Sequence, residues 1–336
     1  MTVQFVRTEV SPHGMAPSDE SDALKMIEIC GRTAYKSEDK ITEDSAKAFV
    51  LMLKKHGHLS VLEHSNTALK VLTEDDLGTS AEERLRVFQE SLVSCLKERN
   101  AYHRIHPIPG SNAFAIAGNF RGWVETLRYL QSCNNGYYRF LAGGLNRHYP
   151  NLFDLKEAEP TGLNYQIELL DSEEQLAILK HDAASDLPVF IFKIVCDRGI
   201  THEIVRHRVL SFTQESTRYV NYKNKGMTLI VPEELDPYYD SESGELKQDD
   251  PLVKTWEDRA AKIFQWYQDD VSRGRRPEIA RDILPNLLKS EIYVSGRWSG
   301  WKHFIQLRDS KQAHPRVRLI AQQIRKYFES VGLSCE

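Results

Sequence analysis

The chain has 336 residues, 41% of them hydrophobic and 27% charged, with a formal net charge of −4. That length and balance fit one large globular domain or two ordinary ones, and the slight negative charge argues against a general nucleic-acid binder. No apolar run approaches the roughly 18 residues that span a bilayer, "MTVQFVRTEVSPHG" shows no charged-then-apolar leader, and the five scattered cysteines lack a CxxC pair, so a cytoplasmic enzyme with reduced thiols is expected.

Ser21 and Asp22 predict the cap of a helix with Ala23, Ile27, Cys30 and Ala34 on one face. A second helix starts near Thr42–Asp44, buries Ala46, Phe49, Val50 and Leu53, and stops at Gly57. Residues 67–72, "TALKVL", alternate as a strand does. Ser80 and Glu83 then form a capping box before a stripe of Leu85, Phe88, Leu92 and Cys95. Residues 119–148 are expected to be largely helical with an interruption at Gly143-Gly144, and 149–171 to be loop with room for one short strand. Ser172 opens another helix.

"LPVFIFKIVC" (187–196) predicts a buried strand, Asp197-Arg198-Gly199 a turn, and Thr201 the cap of a helix reaching about Leu210. After an acidic loop at 239–250, a helix runs from Pro251 to Arg273 and Gly274 ends it. Pro277 suits the first turn of "PEIARDIL". "SEIYVSG" has the composition of a strand, "GWKHFIQLRD" of a helix, and "PRVRLIAQQIRKYFESV" of a final amphipathic helix. Helices outnumber strands, and the expected class is α/β in the mixed, α+β sense.

Two constellations carry chemistry. In "HGHLSVLEH", His56, His58, Glu63 and His64 have the spacing of a two-histidine, one-carboxylate iron site. An amphipathic helix leads into it, and β-rich flanks and a well-spaced glycine are missing. Polar histidines at a helix C-terminus are the simpler reading, and no metal is expected.

The second constellation is "RHRVLSFTQESTRY" (206–219), polar and dense. On a helix His202 and Arg206 share a face, whereas Arg206 and Arg208 diverge. In extended chain Gln214, Ser216 and Arg218 point to one side, where amide, hydroxyl and guanidinium suit a pyrimidine edge and a phosphate. Arg206-His207-Arg208 suits a second anionic or flavin-like ligand. A solvated basic turn is an equal alternative on chemistry alone. A nucleophilic role for Ser216 needs a positioned base, which a sequence does not display.

Arg206, His207 and Arg208, then seven residues, then Ser216: this pattern resembles the signature of the flavin-dependent thymidylate synthases. The surrounding "CDRGITHEIVRHRVLSFTQESTRYVNY" is similar to that family throughout. "GRTAYKS" (31–37), "HGHLSVLEH" (56–64), "RPEIARDILPNLLKSEIYVSG" and "WKHFIQLRDSKQAHPRVRLIA" resemble further blocks in the same order, which also weighs against the iron site. The resemblance covers roughly 1–71 and 188–333. It implies that family's fold, a central sheet flanked by helices, as a single domain over 1–336 interrupted by a mainly helical insertion at 72–187. Matching segments flank the insertion as though it were spliced into a surface connection, so it is expected to be peripheral.

Residue by residue, the resemblance implies FAD contacts from Ser60, Arg206, His207, Arg208, Gln214 and His303. It implies dUMP contacts from Glu203, Arg206, Gln214, Glu215, Ser216, Arg218, Arg281 and Arg308. Ser216 and Arg308 take the catalytic positions, with Arg308 matching the arginine that ionises N3 of uracil. The implied reaction is reductive methylation of dUMP to dTMP, with methylenetetrahydrofolate as carbon donor, FAD as hydride carrier and NADPH as reductant. The implied assembly is a homotetramer with sites at subunit interfaces and with no nucleic-acid or membrane partner.

Two departures stand out. Glu203 replaces a common glutamine, and Arg297-Trp298-Ser299 replaces an Asn-x-Arg flavin contact, for which "GNFRGW" (118–123) is a candidate substitute. One rival reading modifies C5 of another pyrimidine nucleotide. A second is a non-catalytic nucleotide- or RNA-binding protein.

Overall fold

A computed structural model of the chain describes residues 3–17, 19–73, 81–96, 103–153, 165–247 and 249–335. Strands β1 (Gln4–Val6) and β2 (Glu9–Met15) precede helices α1 (Glu20–Tyr35) and α2 (Ser45–Lys55). A 3-10 segment, Leu59–His64, leads to β3 (Asn66–Thr73), α3 (Ala81–Leu96), β4 (His103–Pro107) and β5 (Ala113–Asn119). Then come α4 (Phe120–Ser132), α5 (Tyr137–His148), α6 (Pro150–Phe153), β6 (Tyr165–Leu170) and α7 (Ser172–His181). The second half begins with β7 (Val189–Asp197), α8 (Arg198–Ile204), β8 (Ser211–Gln214), α9 (Tyr222–Lys225) and β9 (Thr228–Ile230). It continues through β10 (Tyr239–Asp240), β11 (Glu245–Leu246), α10 (Pro251–Ser272) and α11 (Pro277–Ala280). It ends with β12 (Lys289–Arg297), α12 (Trp298–Arg308) and α13 (Pro315–Ser330).

The fold is mixed α/β, built on two antiparallel four-stranded sheets. The first has the order β2-β7-β12-β8 and the second β4-β5-β3-β6. In the first, β12 pairs with β7 along its whole length, from Lys289↔Asp197 to Arg297↔Val189. Alternation sends Phe190, Phe192 and Ile194 to one face, where Trp301, Phe304, Ile320 and Phe328 of α12 and α13 cover them. Ile191 and Tyr293 join the other core, beneath α1 and α2. Both faces of β7 are therefore largely buried, which is why its sequence is almost unbroken apolar.

Local chemistry shifts several expected boundaries. The cap of α1 is Asp19, whose Oδ1 accepts from the Asp22 amide at 3.0 Å. The 119–148 stretch breaks between α4 and α5, at 133–136, and not at Gly143-Gly144. Gly144 lies inside α5, where an added Cβ would sit 2.6 Å from Ile167 Cδ1, so it lets β6 approach. The Ser80 capping box falls outside the described residues. Strands β4 and β5 carry no expectation from sequence. β5, "AFAIAGN", lacks alternation because it is buried on both sides.

The 72–187 segment is not peripheral. It holds three strands of the second sheet as well as helices, and its Phe88, Phe114, Phe120 and Trp123 share one apolar cluster with Leu24, Ile27, Phe49 and Val50. Polar contacts reinforce the join. Glu20 Oε1 accepts from the amides of Asn151 (2.7 Å) and Leu152 (2.9 Å), and the Tyr149 hydroxyl donates to Thr67 Oγ1 at 2.8 Å. The apolar stripes of its helices bury against α1 and α2.

Replacing 74–186 with a short Gly/Ser linker removes both neighbours of β3 and uncovers those four side chains. At roughly 1.5–3 kcal/mol each, that loss rivals a typical total stability of about 5–15 kcal/mol. Such a variant is expected to show no cooperative thermal transition by circular dichroism. A sharp transition near the wild-type midpoint would show that the segment is dispensable for folding.

Candidate active site

The site is organised by the turn after β7. Asp197 Oδ1 accepts from the Ile200 amide at 2.9 Å and caps α8, while Arg316 Nη1 donates to Asp197 Oδ2 at 2.6 Å. The cap is thus Asp197, not Thr201, and the helix ends at Ile204, not near Leu210. Thr201 serves instead as a relay, donating to the Arg198 carbonyl and accepting from Gln214 Nε2 at 2.8 Å. The Leu210 amide donates to the His207 carbonyl at 2.9 Å and tightens the turn. His207 is buried there, and Arg206 and Arg208 are exposed. Neither of those two guanidiniums has a partner among the described residues.

Arg308, in the last turn of α12, reaches back to this turn. Its Nε donates to His207 Nε2 at 2.9 Å, Nη1 to Glu203 Oε2 at 2.9 Å, and Nη2 to the Glu203 carbonyl at 3.1 Å. His207 accepts at Nε2, so its ring proton sits on Nδ1 and the imidazole is neutral. Burial, then the charge of Arg308, then His303 lower its pKa to about 4. The His303 ring stands 5.9 Å from that of His207. Glu203, His207, His303 and Arg308 therefore form one cluster, with Arg206 at its margin.

Other expected site residues lie elsewhere in the chain. Gln214 Nε2 also donates to Ser290 Oγ at 2.9 Å. Glu215 is buried in a cage, accepting from the Tyr222 hydroxyl at 2.9 Å with Lys36 and Lys289 each at 3.5 Å. Burial pulls the Lys289 pKa down, but Glu215 and Glu291 outweigh it and hold it above the ordinary lysine value. β8 ends at Gln214 and a turn follows, so Gln214, Ser216 and Arg218 do not form the row that extended chain would give. The Ser216 amide is bonded to the Ala34 carbonyl at 3.0 Å, and its Oγ accepts from the Arg218 amide at 3.3 Å. Arg218 is exposed beside Tyr219, and Arg281 Nη1 donates to Thr217 Oγ1 at 3.3 Å. Ser60 is exposed on the 3-10 segment.

The histidine-rich segment makes no metal cluster. His64 is buried, with Nε2 2.8 Å from Thr213 Oγ1 and Nδ1 2.9 Å from Ser295 Oγ, and burial lowers its pKa to about 3. His56 and His58 are exposed. Among the described residues no group of three potential ligands converges. Glu63 is an anchor, accepting from Arg121 Nη1 at 2.7 Å and from Ser211 Oγ at 2.6 Å.

Where the two sheets meet lies a cavity of about 630 Å³. Arg208, His303, Glu63 and Arg297 line it from one side, and Arg104 and Asn119 of the second sheet from the other. Of the residues expected to contact FAD, Arg208 and His303 line this cavity, while Ser60, Arg206, His207 and Gln214 do not. Arg297 is spent on structure. Its Nη1 donates to the carbonyls of Asp186 (2.8 Å) and Leu187 (2.6 Å), and its Nη2 to that of Ala117 (3.1 Å). Ser299 is spent likewise, its amide and hydroxyl both bonded to the Asp186 carboxylate, at 3.0 and 2.6 Å. Arg104 and Asp186 had no signal in the sequence, whereas Asn119 and Arg121 lie within the "GNFRGW" block named there as a candidate.

The profile of the family described as Thymidylate synthase complementing protein matches residues 163–331, just over half of the chain. This chain belongs to that family. The flavin-dependent thymidylate synthase of Pyrococcus abyssi is 33% identical to it over 144 residues, covering 42% of this chain and 54% of that protein. The enzyme of the same description from Mycobacterium tuberculosis is 30% identical over 139 residues, covering 40% of this chain and 55% of that protein. The chain thus spans about half the length of the curated relatives it matches. A solved structure described as a UMP/dUMP methylase PolB from Streptomyces cacaoi, bound with 5-Br UMP, aligns with a TM-score of 0.37 and 22% identity, covering 46% of this chain and 75% of that one.

The Arg308–His207 contact has a direct signature. His207 is expected to take up its proton only near pH 4, followed by side-chain nitrogen NMR. Arg308→Ala removes a cation that disfavours the imidazolium, so the midpoint should rise while burial keeps it below 6.5. An unchanged midpoint would mean that Arg308 does not bear on His207 in solution.

Proposed function

We propose that this chain carries out reductive methylation of dUMP to dTMP at C5, in the cytoplasm, as a homotetramer in which 72–187 is an insertion into the family's domain. The observation that carries this reading is the fixed guanidinium of Arg308, held by Glu203 and His207 beside the Arg206–Arg208 turn. A cation placed against the N3 edge of uracil favours loss of the N3 proton and raises electron density at C5. Neutral His207 and the Glu203 carbonyl aim the guanidinium in advance, so little reorganisation is needed when a base arrives. Exposed Arg206 and Arg218, with Arg281 near them in function, provide charge for the nucleotide phosphate. Ser216 contributes a hydroxyl. Buried Glu215 acts through its lysine cage, fixing the segment that carries Ser216.

The cavity fits a flavin dinucleotide on chemical grounds. It has the volume of a cofactor site, and Arg208, unpaired among the described residues, together with His303 suits a diphosphate. When bound, FAD supplies hydride transfer, methylenetetrahydrofolate the one-carbon unit and NADPH the reducing equivalents. The Ser216–Arg218 turn lies outside the cavity lining of its own chain, which supports sites completed between subunits. Exposed Val209 and Leu307, 68% and 50% accessible, offer apolar surface for such contacts.

Glu203 favours one alternative. Its carboxylate offsets part of the Arg308 charge, which suits C5 chemistry on a pyrimidine nucleotide other than dUMP. NADPH oxidation by the purified chain with FAD is expected to accelerate on adding dUMP and, with methylenetetrahydrofolate, to yield dTMP. Faster turnover of UMP or dCMP would move the assignment to the alternative. Failure to bind or reduce FAD with any of these nucleotides would overturn both.

A further inference from the structure

We propose that the 72–187 segment supplies cofactor-binding residues of its own, Arg104 and Asn119, which take over the flavin contact that Arg297 and Ser299 cannot make. The inference rests on the flavin reading of the cavity. It starts from what is already committed: the Arg297 guanidinium donates to three backbone carbonyls, and Ser299 gives both its amide and its hydroxyl to Asp186. An anionic ligand therefore finds the Arg297 guanidinium and the Ser299 amide and hydroxyl at the start of α12 already bonded within the chain.

The opposite wall is differently placed. Asn119 is the N-cap of α4, its Oδ1 accepting from the Gly122 amide at 2.7 Å. That bond fixes which end of the side-chain amide is oxygen and leaves the Nδ2 group as a donor with no partner among the described residues. Asn119 lines the cavity, so its donor is available to a carbonyl or phosphate oxygen there. Arg104, on β4, lines the same space with its side chain 40% exposed. Its contacts are weak: Nε lies 3.5 Å from Asp186 Oδ2, and Nη1 lies 3.4 Å from the His103 carbonyl. Most of its donor capacity remains free. With Arg208, in the turn before β8, it gives the cavity two guanidiniums, an arrangement suited to a diphosphate.

The wall is also rigid. Arg297 Nη2 holds the Ala117 carbonyl two residues before Asn119, and Arg121, two residues after it, is paired with Glu63 at 2.7 Å. A donor held on both flanks loses little freedom on binding.

The test is equilibrium titration of FAD onto the purified full-length chain, followed by flavin fluorescence, at two salt concentrations. Arg104→Gln is expected to weaken binding about tenfold or more and to flatten its salt dependence, as loss of a charge-assisted contact does. Arg104→Lys should recover part of both. Asn119→Ser keeps a capping oxygen for α4 but removes the amide donor, and is expected to weaken binding roughly threefold to tenfold. Exposed Arg128 of α4 lies outside the cavity lining, so Arg128→Gln should bind as wild type does. Melting curves by circular dichroism establish that each variant is folded. If wild type binds FAD and both cavity variants match it, the inference is overturned and the flavin reading stands. If wild type binds no FAD, the flavin reading fails and takes this inference with it.

Discussion

The guanidinium of Arg297 donates to the carbonyls of Asp186, Leu187 and Ala117, and those bonds join one sheet to the other. Arg297 is the last residue of β12, the inner strand paired with β7 and β8, while Ala117 lies on β5 of the second sheet. Burial lowers the Arg297 pKa to about 10, so it remains charged at neutral pH, and a charge so placed must keep its partners. Asp186 completes the join. Its backbone sits at φ +46°, an unfavourable region for a residue with a Cβ. That position lets one carboxylate hold the Ser299 amide and hydroxyl at the start of α12.

The cavity follows from this clasp. Two twisted sheets held at one corner leave a space beside it, lined by whichever side chains the clasp has not used. α12 begins at the clasp and ends at Arg308, so the same helix that closes the seam carries the Arg308 guanidinium to Glu203 and His207. Structure and proposed chemistry are thereby coupled through one eleven-residue helix. Glu203 has a double consequence. It orients Arg308, and its carboxylate also offsets part of that guanidinium's charge.

The sequence displayed the parts of this arrangement that are set locally. The stripes of α1, α2, α10 and α13 follow helical periodicity, β7 shows as an apolar run, and β12 shows through the strand composition of "SEIYVSG". β5 was hidden because "AFAIAGN" takes its strand character from β3 and β4 on either side. The end of α8 was hidden because a tight turn, not a glycine or proline, stops it. Arg206, His207, Arg208 and Arg308 were legible as candidates through their spacing and resemblance. Arg104 and Asp186 were not, since long-range pairing alone brings Arg104 to the cavity and Asp186 to Arg104 and Ser299. Arg297 was visible only as an arginine where a flavin contact was expected, and its carbonyl partners explain why it stands there.

The most direct test of the account is the thermal midpoint of the flavin-free chain with Arg297→Gln, compared with flavin-free wild type. If Arg297 clasps the sheets, the substitution leaves buried carbonyls and Asp186 short of a partner, and the midpoint should fall by roughly 5 °C or more without any ligand present. A midpoint equal to that of wild type would contradict the account and return Arg297 to the role of a direct cofactor contact.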